Sequence, residues 1–245
     1  MSGNLWKYRI YRGIWATLDW LFPPVCGGCG KTGTRWCFEC HQKIQLVSDP
    51  VCDVCGLPQA RPGLCNRCQQ KHPSFRLLRS WVIFEHPVRD ALHRLKYRRD
   101  IGLGEALSDQ MSEFIEQLGW PINMIVPVPL GKKRLKERGY NQVAMVAIPL
   151  SIHLGLDYEP GVLVRARETR SQVGLSAVDR QENVQDAFQA DSKKVNGRTV
   201  LLIDDVSTTG ATLSSAADAL YASGALDVYA VTIARALPHH GLKLV

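Results

Sequence analysis

The apolar positions of this 245-residue chain fall into two regimes. From about Phe75 onward, short apolar runs alternate with segments of helical period. Trp81–Phe84, Ile122–Pro129, Thr199–Ile203 and Asp227–Ala234 read as buried strands. Pro87–Tyr97, Leu103–Leu118, Val143–Leu154 and the stripe Leu213, Ala216, Ala217, Leu220, Tyr221 read as helices, the last ended by Gly224. Strand and helix alternate through the second half, which predicts an α/β fold: a mainly parallel sheet with helices on both faces. Before Phe75 the pattern is different. Leu5, Trp6, Ile10, Trp15, Leu18, Leu21 and Phe22 share one broad helical face, and Pro23 and Pro24 end it. The expected organisation is an amphipathic helix over 1–24, a small module over 25–72 and an α/β domain over 76–245. The helix is expected to pack on its neighbours, with peripheral contact to a membrane surface as the other use of its Trp and Arg residues.

Cysteine usage defines the small module. All eight cysteines precede residue 70, in four CxxC pairs: Cys26 and Cys29, Cys37 and Cys40, Cys52 and Cys55, Cys65 and Cys68. A CxxC knuckle directs two thiolates at one centre, and two knuckles close a tetrahedral Zn²⁺ site with no open position. Two structural zinc sites are expected; the spacing leaves both sequential and cross-braced pairing open, and the short loop between each pair of knuckles favours the sequential one. His41 and His72 are spare ligands for sites that four cysteines already complete. No secretory signal and no run of about 18 apolar residues is evident, so a cytoplasmic protein is expected.

The chemistry concentrates at Val200–Leu213, VLLIDDVSTTGATL. A buried strand is expected to stop at Asp204 and Asp205, pass through Val206–Gly210 and begin a helix near Ala211. Unpartnered N–H groups at a helix start suit a phosphate monoester. Ser207, Thr208, Thr209 and Thr212 add hydroxyl donors, and Gly210 lets backbone approach without a Cβ. The two carboxylates can accept from vicinal sugar hydroxyls or hold hydrated Mg²⁺. Together these parts describe a site for a ribose 5-phosphate.

Formal charge is +7, and its distribution carries more than its sum. Lys132, Lys133, Arg134, Lys136 and Arg138 form a dense basic loop over Gly131–Gln142, directly after a core strand, where it can face the acidic pair and neutralise a pyrophosphate or form part of a nucleic-acid track, two uses that are not exclusive. Arg94, Lys96, Arg98 and Arg99, interleaved with Trp81, Phe84 and Tyr97, suit either a nucleic-acid backbone with stacked bases or a solvated helix face. Leu163–Phe188 is long and arginine-rich and reads as a flap, with Arg165, Arg167 and Arg170 able to close over phosphate.

The acidic pair and Val206–Thr212 resemble the phosphoribosyl pyrophosphate (PRPP) loop of type I phosphoribosyltransferases. The resemblance extends further. Cysteine knuckles, LKY (95–97), VPVPL (126–130), RGYNQ (138–142), TxxQ (169–172), RxxN (180–183), Ala187–Phe188 and IDDVSTTGAT (203–212) occur in the order found in the bacterial ComF family of competence proteins. The resemblance implies a type I phosphoribosyltransferase-like domain behind a double zinc ribbon. It implies a role in natural transformation, handling imported single-stranded DNA on the cytoplasmic side of the membrane, with a helicase-like translocation ATPase and the DNA as partners. PRPP with Mg²⁺ would occupy Asp204, Asp205, Val206, Ser207, Thr208, Thr209, Gly210, Ala211 and Thr212, with Lys132, Arg134 and Arg138 on the pyrophosphate side. Two other functions use the same parts: an active transferase of ribose 5-phosphate to a nitrogen nucleophile, for which no proton acceptor stands out, and a PRPP-sensing regulator.

Overall fold

The computed structural model describes residues 10, 11, 13, 15, 17, 19, 20, 23–166 and 187–237. Five strands form one parallel sheet in the order β1 (Leu77–Ile83), β7 (Asp227–Arg235), β6 (Thr199–Ser207), β2 (Met124–Pro127), β3 (Asp157–Tyr158). A separate antiparallel pair joins β4 (Leu163–Arg165) to β5 (Phe188–Ala190). The strands are continuous apolar runs because both sheet faces are covered. Alternation along β6 sends Val200 and Leu202 to one core and Leu201 and Ile203 to the other.

The second core holds Leu92 and Leu95 of α3 (Val88–Tyr97), Leu103, Leu107 and Met111 of α4 (Leu103–Gln117), and Val143, Val146 and Leu150 of α6 (Gln142–Leu154). The first holds Leu213, Ala216, Ala217 and Leu220 of α8 (Ala211–Ala222), with Val195 of the short α7 (Ser192–Val195). Helices therefore lie on both faces, as the alternation predicted.

Two local expectations are corrected. The strand expected to end at Ile203 continues through Ser207, because β7 runs beside it and pairs Asp204 with Thr232, Val206 with Ala234 and Ser207 with Arg235. The basic segment expected as a loop is a helix, α5 (Lys132–Arg138), capped by Gly131 and by Gly139 at φ +85°. Its lysines, arginines, leucine and glutamate are good helix formers, and a left-handed C-terminal glycine stops the helix cleanly. Of the arginine-rich flap, only its two ends lie within the described residues. Arg167, Arg170 and the TxxQ and RxxN elements lie outside them.

The ribbons grip the sheet from both sides. Each contains one short helix, α1 (Phe38–Gln42) and α2 (Asn66–Gln70). The connecting segment bonds to the edge strand, with Val47 N–H donating to the Trp81 carbonyl and Ile83 N–H to the Gln45 carbonyl. In the first ribbon, Trp36 and Ile44 pack on the core of α3 and α4, whereas Cys52, Cys55, Cys65 and Cys68 belong to the core of α8. Gly56 turns with φ +62°, and a Cβ there would stand 2.6 Å from the Leu78 carbonyl oxygen, so only glycine lets this knuckle dock on β1. At the N-terminal end, Ile10, Tyr11, Gly13, Trp15, Thr17, Asp19 and Trp20 are helical. Arg35 of the first ribbon holds this segment by bonding Asp19 and lying 4.7 Å over the Trp15 ring. No helix among the described residues is long and apolar enough to cross a membrane.

Candidate functional site

The carboxyl ends of β6 and β2 and the inner side of α3 enclose a cavity of about 670 Å³. Its lining includes every residue from Asp204 to Leu213, so the acidic pair and the whole hydroxyl loop face one space. Gly210 adopts φ +80° at the helix start, a backbone state that glycine takes without strain. Thr209 Oγ1 accepts from the Ala211 N–H at 3.2 Å and closes the turn. α8 then brings its N-terminal N–H groups and positive dipole end to the cavity.

The carboxylates differ in state. Burial raises Asp204 to about 7, and the neighbouring Asp205 charge adds to the rise. Burial opposes ionisation of Asp205 too, but Lys96 Nζ at 2.9 Å and Gln142 Nε2 at 2.6 Å outweigh it and hold Asp205 below its ordinary value. One carboxylate is thus fixed as an anion and the other is poised near neutrality, which favours a ligand that brings hydroxyl protons or a cation to the pair. Gln142 in turn accepts from Arg138, whose guanidinium lies 5.4 Å from the centre of the Tyr97 ring.

Cationic side chains surround the acidic floor: Arg89, Lys96, Arg134, Arg138 and Arg165 all line the cavity. Of the three residues expected on the pyrophosphate side, Arg134 and Arg138 are present in the lining. Lys132, two residues before Arg134 and so on the other side of α5, is exposed and is not among the lining residues. The four residues grouped as a nucleic-acid segment divide. Lys96 turns inward to Asp205. Arg94 is committed to the Cys26 carbonyl at 2.8 Å and to Asp100 at 2.6 Å. Arg98 and Arg99 are exposed, and Arg99 holds φ +55° in the turn that ends α3. Tyr140, between Arg138 and Arg99, donates its hydroxyl to the Leu95 carbonyl and ties the end of α3 to the segment after α5. Tyr97, 57% exposed, therefore sits between the two basic stretches at the cavity rim.

Lys96 and Gln142, with Arg89, Asp90 and His93, are pocket residues that sequence reasoning misplaced or missed. The signal for Lys96 was its spacing: it follows the buried Leu92 by one helical turn and so shares the inward face.

The cysteines form two sets, Cys26, Cys29, Cys37, Cys40 and Cys52, Cys55, Cys65, Cys68, with the ligand atoms of each set within 4.8 Å of one another. This is the sequential pairing. A tetrahedral Zn–S length near 2.3 Å implies sulfur separations of about 3.8 Å. Cys29 and Cys37 Sγ stand 3.6 Å apart, and Cys55 and Cys65 Sγ 3.7 Å. Backbone N–H groups donate to sulfur at Cys26 and Cys52 and outweigh burial, lowering each to about 6, while burial and neighbouring thiols raise Cys40 and Cys68. The geometry and donor set fit two structural zinc ions.

A parallel sheet with an acidic pair and hydroxyl loop at the end of its central strand, behind two four-cysteine ribbons, defines a zinc-ribbon protein with a phosphoribosyltransferase fold. Family models agree: residues 17–69 match a double zinc ribbon domain and residues 143–242 a phosphoribosyl transferase domain. Over 226 residues the chain is 34% identical to the DNA utilization protein YhgH of Salmonella typhi, covering 88% of this chain and 98% of that protein. It is 30% identical to the competence protein ComFC of Bacillus subtilis, covering 84% and 86% respectively. Among solved structures, an adenine phosphoribosyltransferase aligns with a TM-score of 0.38 at 18% identity, over 57% of this chain and 73% of that one. The chain belongs to the ComF family of competence and DNA utilization proteins.

Proposed function

We propose that this chain is a competence-type DNA-handling factor that binds single-stranded DNA at the cavity rim and PRPP with Mg²⁺ inside it. The observation that carries the reading is the arrangement at α3 and α5. Exposed Tyr97 lies beside Arg138 in the lining of the cavity whose floor is Asp204–Asp205, and the exposed Arg98 and Arg99 follow Tyr97 directly in the chain. An aromatic ring between cations suits a stacked base on a phosphate backbone. Within the cavity, Ser207–Thr212 and the start of α8 would hold the 5-phosphate, the carboxylates would accept from the ribose hydroxyls, and Arg134 and Arg138 would meet the pyrophosphate. Arg138 touches both Tyr97 and Gln142, and Gln142 touches Asp205, so occupation of one site reaches the other through two side chains. The relatives' names, DNA utilization and competence proteins, support the DNA-handling part of this reading; a cytoplasmic site and a translocating helicase-like ATPase as partner are what the family resemblance adds to it.

Titration of a fluorescent oligothymidylate across a salt series tests it. Binding should weaken steeply with salt. Arg98→Ala with Arg99→Ala should lower affinity and reduce the slope of log K against log salt by about 1.4, two single-strand contacts at about 0.7 each. Absence of binding at low salt would refute the DNA role.

A second reading, transfer of the ribose 5-phosphate to a nitrogen nucleophile, is favoured by the wall of Phe84, Leu92, His93 and Tyr97, which suits a planar heterocycle. In that reaction the C1–O bond to pyrophosphate breaks, a C1–N bond forms and the nitrogen's proton leaves, with Asp90 and His93 in the lining as groups able to take it. Release of pyrophosphate from PRPP in the presence of candidate bases separates this reading from binding alone.

A further inference from the structure

Strand β7 ends on Arg235, which is 0% exposed and heads the largest fully buried side chains. Its Nη1 donates to the Cys55 carbonyl at 3.0 Å and to Ser207 Oγ at 3.2 Å, and its Nη2 stands 3.9 Å from Cys55 Sγ. The next residue repeats the link, with Ala236 N–H donating to the Ser207 carbonyl at 3.0 Å. Cys55 belongs to the second four-cysteine set, and Ser207 is the last residue of β6 and part of the loop that lines the cavity.

A buried guanidinium is costly without a compensating negative charge. The partners of Arg235 are a carbonyl, a hydroxyl and a thiol sulfur, and its Nε has no hydrogen-bond partner. Four thiolates around a divalent zinc carry a formal charge of −2, which supplies the missing counter-charge beside it. The first cysteine set is built differently. Its arginine, Arg94, bonds the Cys26 carbonyl but is neutralised by Asp100 and does not line the cavity.

We propose that Arg235 is a positioning residue that couples the phosphate loop to the second zinc site and leaves the first zinc site uncoupled. A phosphorylated ligand on Ser207–Thr212 tightens the hold of Cys52, Cys55, Cys65 and Cys68 on their metal, and a firmly held metal orders the loop through Arg235 and Ser207. The ligand half of this rests on the reading of the loop as a phosphate site. The bond between Arg235 and Ser207 does not.

The test is alkylation of the zinc-loaded protein by iodoacetamide, followed residue by residue by peptide mass spectrometry, with PRPP and Mg²⁺ binding measured separately by calorimetry. Mg²⁺ with PRPP should slow labelling of the second set about fivefold, the factor of one net hydrogen bond, and leave the first set unchanged. Without ligand, Ser207→Ala should speed labelling of the second set by a similar factor. Thr232→Val removes the 2.7 Å Ser80–Thr232 hydroxyl bond between β1 and β7, which does not touch Arg235, and should leave the second set as in the wild type. Equal effects of Ser207→Ala and Thr232→Val, or parallel movement of both sets, would overturn the coupling. So would bound ligand without protection of the second set. If calorimetry shows no PRPP binding, the pocket reading falls, and the two variants alone still decide whether Arg235 ties Ser207 to the metal site.

Discussion

Replacing Lys96 by Met keeps most of the apolar stem and removes only the charge that faces Asp205. The Lys96 and Asp205 side chains are 21% and 11% exposed, with nitrogen and oxygen 2.9 Å apart. At an effective dielectric near 20 the gross attraction across that distance is about 6 kcal/mol. Desolvation of the two charges cancels much of it. The variant's Asp205 keeps Gln142 at 2.6 Å and relieves its charge by taking up a proton with Asp204. A net loss of about 2 kcal/mol follows, the scale of a charge-assisted bond whose partner is removed. The pH dependence has a definite sign. Asp205 is held below its ordinary value, so the stability it contributes is present above the unfolded value near 4 and is lost as pH falls through the lower folded value. Lys96→Met should therefore show its full penalty in urea denaturation at pH 8 and a smaller one near pH 4. Its affinity for an oligonucleotide should stay within about twofold of the wild type, since Lys96 points into the cavity. A variant as stable as the wild type at pH 8, or one whose DNA affinity falls as far as that expected for Arg98→Ala with Arg99→Ala, would refute this placement.

Two further outcomes follow from the same geometry. Because burial and the Asp205 charge raise Asp204 to about 7, PRPP affinity should fall by up to about tenfold per pH unit below that value, as the ligand must displace the retained proton. Calorimetry between pH 6 and 8 checks it, and Asp204→Asn should flatten the profile. Strong chelation should release two zinc ions per chain, counted by atomic absorption. It should also lower the melting temperature of the whole domain, because the second cysteine set shares its core with Phe75, Leu78 and α8.

Much of the sheet was legible because its central strands are buried on both faces and read as unbroken apolar runs. Thr199–Ile203, Asp227–Ala234 and the stripe of α8 needed only periodicity. Periodicity failed where tertiary neighbours decide. Asp204 and Asp205 look like a strand terminus, yet β7 continues alongside and keeps them extended. In α5 only Leu135 is apolar, so charge density hid a helix that its two flanking glycines mark. The cavity was partly legible for the same reasons. The acidic pair and hydroxyl loop lie in one stretch of chain, but Lys96 and Gln142 reach it from other elements, and a basic run in sequence does not show which members turn inward. Arg235 had a quieter signal, a lone cation closing an apolar strand.

Calorimetric titration of the zinc-loaded chain with PRPP and Mg²⁺, alongside Asp205→Asn, tests the central claim most directly. One PRPP should bind per chain of the wild type, and the variant should bind it at least about tenfold more weakly, the loss of a charge-assisted contact. No heat at millimolar PRPP, or equal affinity in the two proteins, would contradict it.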